Sequence, residues 1–329
     1  MHEPPPELDP SALAALLRER WGLTPASLEH SPVGFGGYHW TAAEEGGRRW
    51  FVTAWDLDAG QARLPTLTAA LDATAVLAGG IDGVVGPVPD REGATTRTLG
   101  TRYAVAVFPW ATGTGGAHGQ EYSPERRRAL LGLLASVHGS SRLVPDAPRL
   151  APELGQRAVL ERALDELSTP WTGGPYAEPA RAALRERQPD AVRATLDLFD
   201  ALLARTRAEG VPSVLTHGEP HPGNVLWSEG RPALIDWDTV GLAPAERDLW
   251  QVTEDPAELA AYTGAGGGPV SPTALRLYRL RWDLDEITLY LGQFRAPHGG
   301  GRDSAVAFDG LVESLDRALA ERERGGPGT

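Results

Sequence analysis

Two residue types are missing from this sequence, and each absence removes a class of chemistry. There is no cysteine among the 329 residues, which excludes disulfides, thiolate nucleophiles and cysteine-ligated metal sites. All 31 basic residues are arginine, so any mechanism that needs a catalytic lysine is also excluded. The simplest account of the missing lysine is genomic base composition, since the chain is also rich in Ala, Gly and Pro.

Long apolar runs and an excess of positive charge are missing as well. No stretch of 18 apolar residues is present, and the opening residues 1–6 are polar and acidic, unlike a signal peptide, so we expect a cytoplasmic protein without a membrane partner. The net charge of −13 disfavours nucleic acid and favours cationic partners. With 41% hydrophobic residues, the chain can bury one large core or two modest ones. The oligomeric state is open.

The most informative stretch is Thr216–Asp236, which reads THGEPHPGNVLWSEGRPALID. Two short apolar runs around a Ser-Glu-Gly turn predict a hairpin that brings Asn224 and Asp236 together. Amide and carboxylate oxygens, with phosphate oxygens, form a typical magnesium site. Glu219 lies in a loop bracketed by Gly and Pro, where it either holds a substrate hydroxyl or caps backbone amides. A metal for phosphates and a carboxylate for the nucleophile are what phosphoryl transfer requires.

The pattern H-G-E-x-H-x-x-N followed by I-D-W-D resembles the aminoglycoside phosphotransferase family of protein-kinase-like small-molecule kinases. The resemblance implies that Glu219 is the catalytic base, that Asn224 and Asp236 bind magnesium, and that His217 is a scaffold of the loop. The family usually has Asp at the base position. The extra methylene moves the carboxylate by roughly a bond length, and catalysis is sensitive at about 1 Å. A loose transition state needs little early proton removal, so a displaced base can still orient the hydroxyl.

Three further residues near this motif have open interpretations. Asp238 is either an acid behind the metal ligands or a substrate contact. Asp248 resembles the aspartate with which the family braces its catalytic loop, but a carboxylate in the first turn of a helix also offsets the helix dipole. We assign no chemistry to His221, because a lone histidine is more often a hydrogen-bonded loop residue.

The amino-terminal part predicts a nucleotide site without its usual cation. Strands are expected between Leu28 and Trp55. Between the first two strands lies a run of mostly small residues whose backbone amides could approach phosphates: Gly34, Phe35, Gly36, Gly37. A glycine-rich hairpin turn without a ligand is the simpler alternative. The resemblance implies a lysine at or near Thr53, paired with a Glu on the following helix, about Thr66–Ala78. That helix carries only Asp72. Arg49 or Arg63 are candidate replacements.

The next segments predict a hinge. Strands are expected at Val84–Val88 and Arg102–Phe108, and the second leads into Pro109, Trp110 and Ala111, which resemble the family's hinge, whose backbone holds the adenine. Gly113–Gly119 would be a flexible linker. The alternative is a strand end followed by an ordinary loop.

The remaining chain is mostly helical. Helical spacing, caps and glycine stops predict helices at these positions: about 10–21, 124–138, 152–167, 190–208, 272–294 and 306–319. The tail from Arg322 to Thr329 is expected to be disordered. Acidic and aromatic residues on the helix at 272–294 suit a cationic, sugar-like acceptor, although core packing is the simpler reading: Tyr278, Trp282, Asp285, Glu286.

The sequence therefore predicts an α+β, bilobal, protein-kinase-like fold. Its small antiparallel-sheet lobe would comprise residues 1–108, the hinge 109–119, and a mostly helical lobe 120–329. The expected activity is Mg²⁺-dependent transfer of the γ-phosphoryl group of ATP or GTP to a hydroxyl of a small antibiotic or metabolite. Two alternatives remain: a related protein that binds nucleotide or ligand without transfer, favoured by the missing lysine and Glu, and an enzyme that uses another donor.

Overall fold

A five-stranded antiparallel sheet forms the amino-terminal part of the structure, a computed structural model that describes residues 1–5, 7–34, 36–58, 63–117 and 119–324. Its strands are β1 (Pro25–Ser31), β2 (Tyr38–Glu44), β3 (Arg49–Asp56), β4 (Arg97–Leu99) and β5 (Tyr103–Pro109), in the order β1-β2-β3-β5-β4. Because side chains alternate along β3, Val52 and Ala54 point into an apolar core while Phe51, Thr53 and Trp55 share the opposite face.

Two helices accompany the sheet. Helix α1 (Pro10–Leu16) starts where predicted, because the Asp9 carboxylate accepts a hydrogen bond from the Ser11 amide (2.8 Å). It continues as a π-helical turn to Trp21 and stops at Gly22, whose φ of +74° suits glycine. Its leucines pack on the apolar face of the sheet, as expected. Helix α2 (Leu64–Ala78) begins two residues earlier than predicted.

The prediction for Val84–Val88 was wrong. Only Val84 makes a bridge, to Leu234, and no strand forms, because Gly and Pro interrupt the run and Pro has no amide to donate. The short β4 was not predicted. Val84 is held by a residue 150 positions away, whereas β4 has only three residues, too few for an alternating pattern to show.

The central hairpin is confirmed. Strands β7 (Val225–Ser228) and β8 (Arg231–Leu234) pair with Val225 opposite Leu234. Glu229 and Gly230 both have positive φ (51° and 77°), as a two-residue type I′ turn requires. A second small sheet pairs β6 (Ser213–Thr216) with β9 (Gly241–Pro244). Thus the ends of β6, β7 and β8 define the loop that carries the central motif.

The chain divides into two compact units, Met1–Leu150 with Pro212–Pro269, and Ala151–Val211 with Val270–Thr329. The first unit also contains α3 (Pro124–Gly139), α7 (Glu246–Leu249) and α8 (Pro256–Gly264). All residues of the central motif belong to this unit. The predicted lobe boundary at 109–119 is a different division and stays a prediction.

The second unit is helical. It contains α4 (Arg157–Asp165), α5 (Ala177–Glu186), α6 (Pro189–Glu209), α9 (Pro272–Arg295) and α10 (Arg302–Arg324). The buried stripe of α6 is the predicted one, and Gly210 ends the helix with a φ of +65°. Helices α5 and α8 were not predicted. The disordered tail is wrong for 322–324, which extend α10, while 325–329 lie outside the described residues.

Among the described residues, no helix is both long and apolar enough to cross a membrane.

We expect Phe199→Ala to lower the free energy of unfolding by about 3–5 kcal/mol, because its ring is 1% exposed within the core of the second unit. Urea denaturation followed by far-UV circular dichroism measures the change. The control is Val306→Ala on α10, 40% exposed, for which we expect at most about 0.5 kcal/mol. Equal effects of the two substitutions would contradict the core assignment.

Candidate active site

The loop that connects β6 to β7 is held by hydrogen bonds to its backbone carbonyl groups. Six consecutive carbonyl oxygens accept one each, three from side chains outside the loop, one from the Asn224 side chain and two from backbone amides. The donors are Thr239 Oγ1 to the His217 carbonyl, Gln251 Nε2 to Gly218, Asn224 Nδ2 to Glu219, Tyr122 Oη to Pro220, the Asn224 amide to His221, and the Gly116 amide to Pro222. Since each bond lies at 2.7–3.1 Å, the loop has one well-defined conformation.

Asp248 holds the start of this loop. Its Oδ2 accepts hydrogen bonds from the His217 amide (2.8 Å) and from His138 Nε2 (3.0 Å), and its Oδ1 accepts one from the Gly218 amide (2.6 Å). The residue is fully buried. Its carboxylate contacts the loop rather than the first turn of its own helix α7, which is the bracing arrangement considered above.

A buried chain of polar groups extends from Asp248. His138 on α3 also lies 2.7 Å from the hydroxyl of Tyr262 on α8, through Nδ1. Burial alone would raise the pKa of the Asp248 carboxyl, but the hydrogen bond from His138 and the nearby Arg247 guanidinium hold it below its ordinary value. Asp248 is therefore ionised in the folded protein, and α3 and α8 are coupled to the loop through it.

Gly218 cannot be replaced without moving the loop. It has a φ of +103°, and a Cβ built on it would lie 2.3 Å from a guanidinium nitrogen of Arg247. That guanidinium donates to Thr216 Oγ1 (2.9 Å) and to the Thr239 carbonyl (3.0 Å), so it is fixed in place. The H-G-E motif thus requires glycine for both conformation and space.

His217 connects the loop to the hairpin. Its Nε2 lies 2.9 Å from the Ile235 carbonyl oxygen and its Nδ1 accepts a hydrogen bond from the Glu219 amide (3.1 Å). Because a carbonyl only accepts, the proton is on Nε2. The ring packs on Trp237 with centroids 4.4 Å apart, and burial lowers its pKa to about 4. A neutral imidazole with a hydrogen bond at each ring nitrogen suits a scaffold, the role that the family resemblance implies.

Glu219, His221 and Asn224 lie together at the end of the loop. Glu219 Oε2 is 3.9 Å from His221 Nε2, which in turn is 3.3 Å from Asn224 Nδ2. The Glu219 side chain is 29% exposed and thus accessible to a substrate. His221, to which the sequence assigned no chemistry, contacts both neighbours.

Asp236 follows β8 in a left-handed conformation, with a φ of +65° that Asp tolerates better than most residues. The Ile235 amide donates to the Asn224 carbonyl (3.0 Å), so Asn224 and Asp236 flank the same end of the hairpin. Burial raises the pKa of Asp236 well above its ordinary value, and repulsion from Asp238 and Glu219 raises it further. Three carboxyl groups therefore crowd this end of the hairpin.

Asp238 is tied to the large sheet. Its Oδ2 accepts a hydrogen bond from the indole nitrogen of Trp55 on β3 (2.8 Å). Burial raises the pKa of Asp238, and the Trp55 bond partly offsets that rise. This contact, which no sequence pattern signalled, joins β3, where the resemblance implies a lysine, to the segment that follows β8.

The residues present fit a magnesium ion. Asn224 uses its amide nitrogen for the loop, and neither its Oδ1 nor the Asp236 carboxylate accepts a hydrogen bond from any described residue. No group of three or more His, Asp and Glu side chains in the described ranges is arranged to hold a metal. Magnesium, however, is usually held by one or two carboxylates together with substrate phosphates, and two hard oxygen ligands suit that arrangement.

The glycine-rich turn lies over the face of the sheet that carries His39, Thr53 and Trp55. Gly34 and Gly36 have φ values of +69° and +90°, and Phe35 lies outside the described residues. A Cβ built on Gly37 would lie 3.0 Å from Thr53 Cγ2 and 3.2 Å from His39 Cε1. Thr53 is therefore directly beneath the turn, and its hydroxyl lies 3.1 Å from His39 Nδ1.

The predicted hinge follows β5. Trp110 is stacked under the Arg49 guanidinium, whose carbon lies 3.6 Å from the ring centroid, so Arg49 is engaged there. Ala111 makes no backbone hydrogen bond with any described residue, which leaves its polar groups available to a ligand. Pro109, the last residue of β5, pairs with Trp50.

The linker expected to be flexible is attached to the hairpin over its first half. The Thr114 amide and carbonyl both pair with Trp227 at 3.0 Å, and the Gly116 amide donates to the Pro222 carbonyl. A Cβ on Gly113 would lie 3.0–3.1 Å from Leu226 and Trp227. These glycines allow the linker backbone to lie close to the hairpin. Composition alone does not distinguish that role from flexibility.

The candidate acceptor residues all lie on α9 in the second unit. Asp285 pairs with Arg281 (3.1 Å), and Glu286 accepts a hydrogen bond from Tyr290 (2.5 Å). Tyr278 is 3% exposed, whereas Trp282 is only partly buried. Their role as an acceptor site stays a prediction.

Asp248→Asn should lower the free energy of unfolding by about 3 kcal/mol, because the new amide nitrogen would face N–H donors in a buried site. Urea denaturation measures the change. The control is Glu229→Gln at the hairpin tip, an exposed carboxylate 3.8 Å from Arg231, where we expect less than about 0.5 kcal/mol. An unchanged free energy of unfolding in the Asp248 variant would contradict the bracing role of Asp248.

The contribution of His217 to the free energy of unfolding should decrease as the pH falls from 6.5 to 4, whereas carboxyls with a raised pKa, such as Asp236, act in the opposite direction. The folded-state pKa of His217 is about 4 and the unfolded-state value about 6.5, so between them the unfolded chain binds more protons. His39, whose pKa burial lowers to about 3, acts in the same direction. His217→Gln should reduce the slope of unfolding free energy against pH by about 1 kcal/mol per unit, measured by urea denaturation at several pH values. An unchanged slope would contradict the assignment.

Known proteins resemble this chain in sequence and in fold. The model of the phosphotransferase enzyme family, APH, matches residues 34–281 of the 329. The protein StrN of Streptomyces griseus is 31% identical over 254 residues, which are 72% of each chain.

Solved structures show the same protein-kinase-like fold. Spectinomycin phosphotransferase APH(9)-Ia, in complex with ADP and spectinomycin, superposes with a TM-score of 0.74 at 17% identity, over 96% of this chain and 99% of that one. Amicoumacin kinase hAmiN, in complex with AMP-PNP, Ca²⁺ and its ligand, superposes with a TM-score of 0.60 at 14% identity, over 95% and 94%. The chain therefore belongs to the phosphotransferase enzyme family.

Proposed function

We propose that this enzyme transfers the γ-phosphoryl group of ATP or GTP to a hydroxyl of a small polar acceptor, with Mg²⁺ as cofactor. The observation that carries the proposal is the convergence of Glu219, Asn224 and Asp236 at one end of a hairpin whose loop is fixed by hydrogen bonds. A carboxylate for the nucleophile and two oxygen ligands for a cation are the groups the reaction needs.

Glu219 would orient the acceptor hydroxyl and receive its proton. The acceptor oxygen forms a bond to the γ-phosphorus as the bond to the β–γ bridging oxygen breaks, and the nucleoside diphosphate leaves. Glu219 gains one proton, which it later returns to solvent. Its backbone is held on both sides, by His217 at the amide and by Asn224 at the carbonyl, so adjustment to the acceptor would fall to the side chain.

Asn224 Oδ1 and the Asp236 carboxylate would hold the Mg²⁺ ion, which offsets the phosphate charge when bound. Repulsion among Asp236, Asp238 and Glu219 favours a cation at this end of the hairpin. The Trp55 hydrogen bond restrains Asp238 at one oxygen. For the nucleotide, Gly34–Gly37 would contact the phosphates and Pro109–Ala111 the base, which makes the division at 109–119 part of this proposal.

The acceptor is inferred to be cationic or sugar-like, and an antibiotic is the first class to test. The net charge of −13 favours a cation, and relatives are named for spectinomycin, amicoumacin and macrolides. Of the predicted acceptor residues on α9, Trp282, Asp285 and Glu286 supply an aromatic ring and two carboxylates that suit such a ligand, whereas Tyr278 is buried.

A second candidate function is nucleotide binding without transfer. It is favoured by Thr53 in the lysine position and by Asp72, which is bonded to Thr95 (2.6 Å) rather than to a cation. The oxygens of Asn224 and Asp236 favour transfer instead, because two hard oxygen ligands remain available to the cation that the reaction needs.

Calorimetric titration with ATP and with GTP, with and without Mg²⁺, tests the proposal. We expect Mg²⁺-dependent binding that Asp236→Ala abolishes, because one of the two protein ligands is lost. With an acceptor found by screening hydroxylated antibiotics, Glu219→Gln should lower kcat by about 10²–10⁴-fold at unchanged nucleotide affinity. Glu219→Asp is the matched variant, since it keeps the carboxylate at the family's usual length.

The outcomes separate the candidates. A product heavier by one phosphoryl group supports transfer from the γ position, whereas a nucleotide adduct would indicate another donor chemistry. Binding without turnover across the screen would favour the non-transferring function. No binding of either nucleotide at millimolar concentration, with acceptors present, would refute the proposal.

A further inference from the structure

His39 lies beneath the glycine-rich turn, in the row of the sheet that faces it. The side chain is 6% exposed, and its Nε2 lies 3.1 Å from the position of a Cβ built on Gly34. Stacking on Phe51, with centroids 5.0 Å apart and planes at 27°, fixes the plane of the ring. The imidazole therefore occupies the space that any residue other than glycine would need at Gly34.

The hydrogen bonds of His39 use only one of its two ring nitrogens. Nδ1 lies 3.1 Å from Thr53 Oγ1, while Nε2 has no partner among the described residues. A hydroxyl that donates to Nδ1 places the ring proton on Nε2. We assign the Thr53 hydroxyl as this donor, and Nε2–H then has no acceptor among the described residues.

The two arginines suggested by the sequence as replacements for the lysine do not lie beneath the glycine-rich turn. Arg49 stacks on Trp110 at the hinge, and Arg63 is exposed just before α2. The α-amino group of Met1 donates to the Gly34 and Gly37 carbonyls. Burial, then the charges of that amino group and of His30, lowers the pKa of His39 to about 3, so the free ring is neutral.

We infer that His39 Nε2–H donates a hydrogen bond to the polyphosphate of the bound nucleotide, and that Thr53 is a positioning residue that fixes the tautomer. The inference rests on the proposed function and deepens it. A neutral N–H donor under the glycines would take the place of the lysine ammonium. A hydroxyl–imidazole pair is compatible with the buried environment in which an unpaired ammonium would be costly.

The experiment is calorimetry of ATP, ADP and adenosine binding to the full chain with Mg²⁺. We expect His39→Leu to weaken ATP and ADP by about 10- to 100-fold and to leave adenosine unchanged, since a hydrogen bond to a charged group is lost. Thr53→Val should weaken ATP by about 2- to 10-fold, because the tautomer is no longer fixed. His39→Gln, which keeps an N–H donor, should recover part of the affinity.

The matched control is His30→Leu on β1, which removes an imidazole that contacts Trp40 rather than the glycines and should leave all three affinities unchanged. In ¹⁵N-histidine spectra, the resonance absent from His39→Gln should report a protonated Nε2 and shift with ATP but not with adenosine. Thermal unfolding of each variant confirms that it is folded.

Three results would overturn the inference. His39→Leu that binds ATP within twofold of the wild type would remove the contact, and equal losses for ATP and adenosine would mark the effect as structural. A wild type that binds no nucleotide would refute the proposed function and this inference together, whereas normal wild-type binding with an unaffected variant refutes only the role of His39.

Discussion

The carboxylate of Asp248 is the constraint on which the candidate site depends. It is fully buried, and three hydrogen bonds within 3.0 Å compensate for the loss of water around its charge. Two of the donors are consecutive loop amides. Since an uncompensated charge in this position would be strongly unfavourable, the loop amides have to point inward, and that orientation places Glu219 and Asn224 at the open end of the loop.

Local patterns predicted the parts of the fold that local chemistry determines. The hairpin was predictable because Glu229-Gly230 suits a tight turn, and α1, α3 and α9 because Asp9, Ser123 and Ser271 cap them. The position of Asn224 and Asp236 at the same end of the hairpin followed from the hairpin alone. Where distant contacts decide the structure, as at α5 and at the wrongly predicted strand at Val84, periodicity carried no usable signal.

The polar contacts of the site were less predictable than its ligands. Trp55 reads as a core aromatic in the sequence, and nothing local indicates that its indole bonds a carboxylate 183 residues away. His39 likewise looks like an interruption in an apolar strand. Both became visible only when pairing of β2 with β3 placed His39 opposite Thr53, in one row with Trp55. The spacing of residues in the sequence identifies the motif. The residues that contact the motif are identified only once the pairing register of the strands is known.

The same row shows how the chain manages without lysine. The family resemblance implies a lysine on β3 paired with a Glu on α2, and both are absent together. In their place the row presents neutral donors, the indole of Trp55 toward Asp238 and the imidazole of His39 toward the glycines. Neutral donors bind anions less strongly than an ammonium but cost less to bury. The positive charge for the phosphates would then come chiefly from the cation that Asn224 and Asp236 hold, so nucleotide affinity should depend on magnesium more steeply than it would with a lysine.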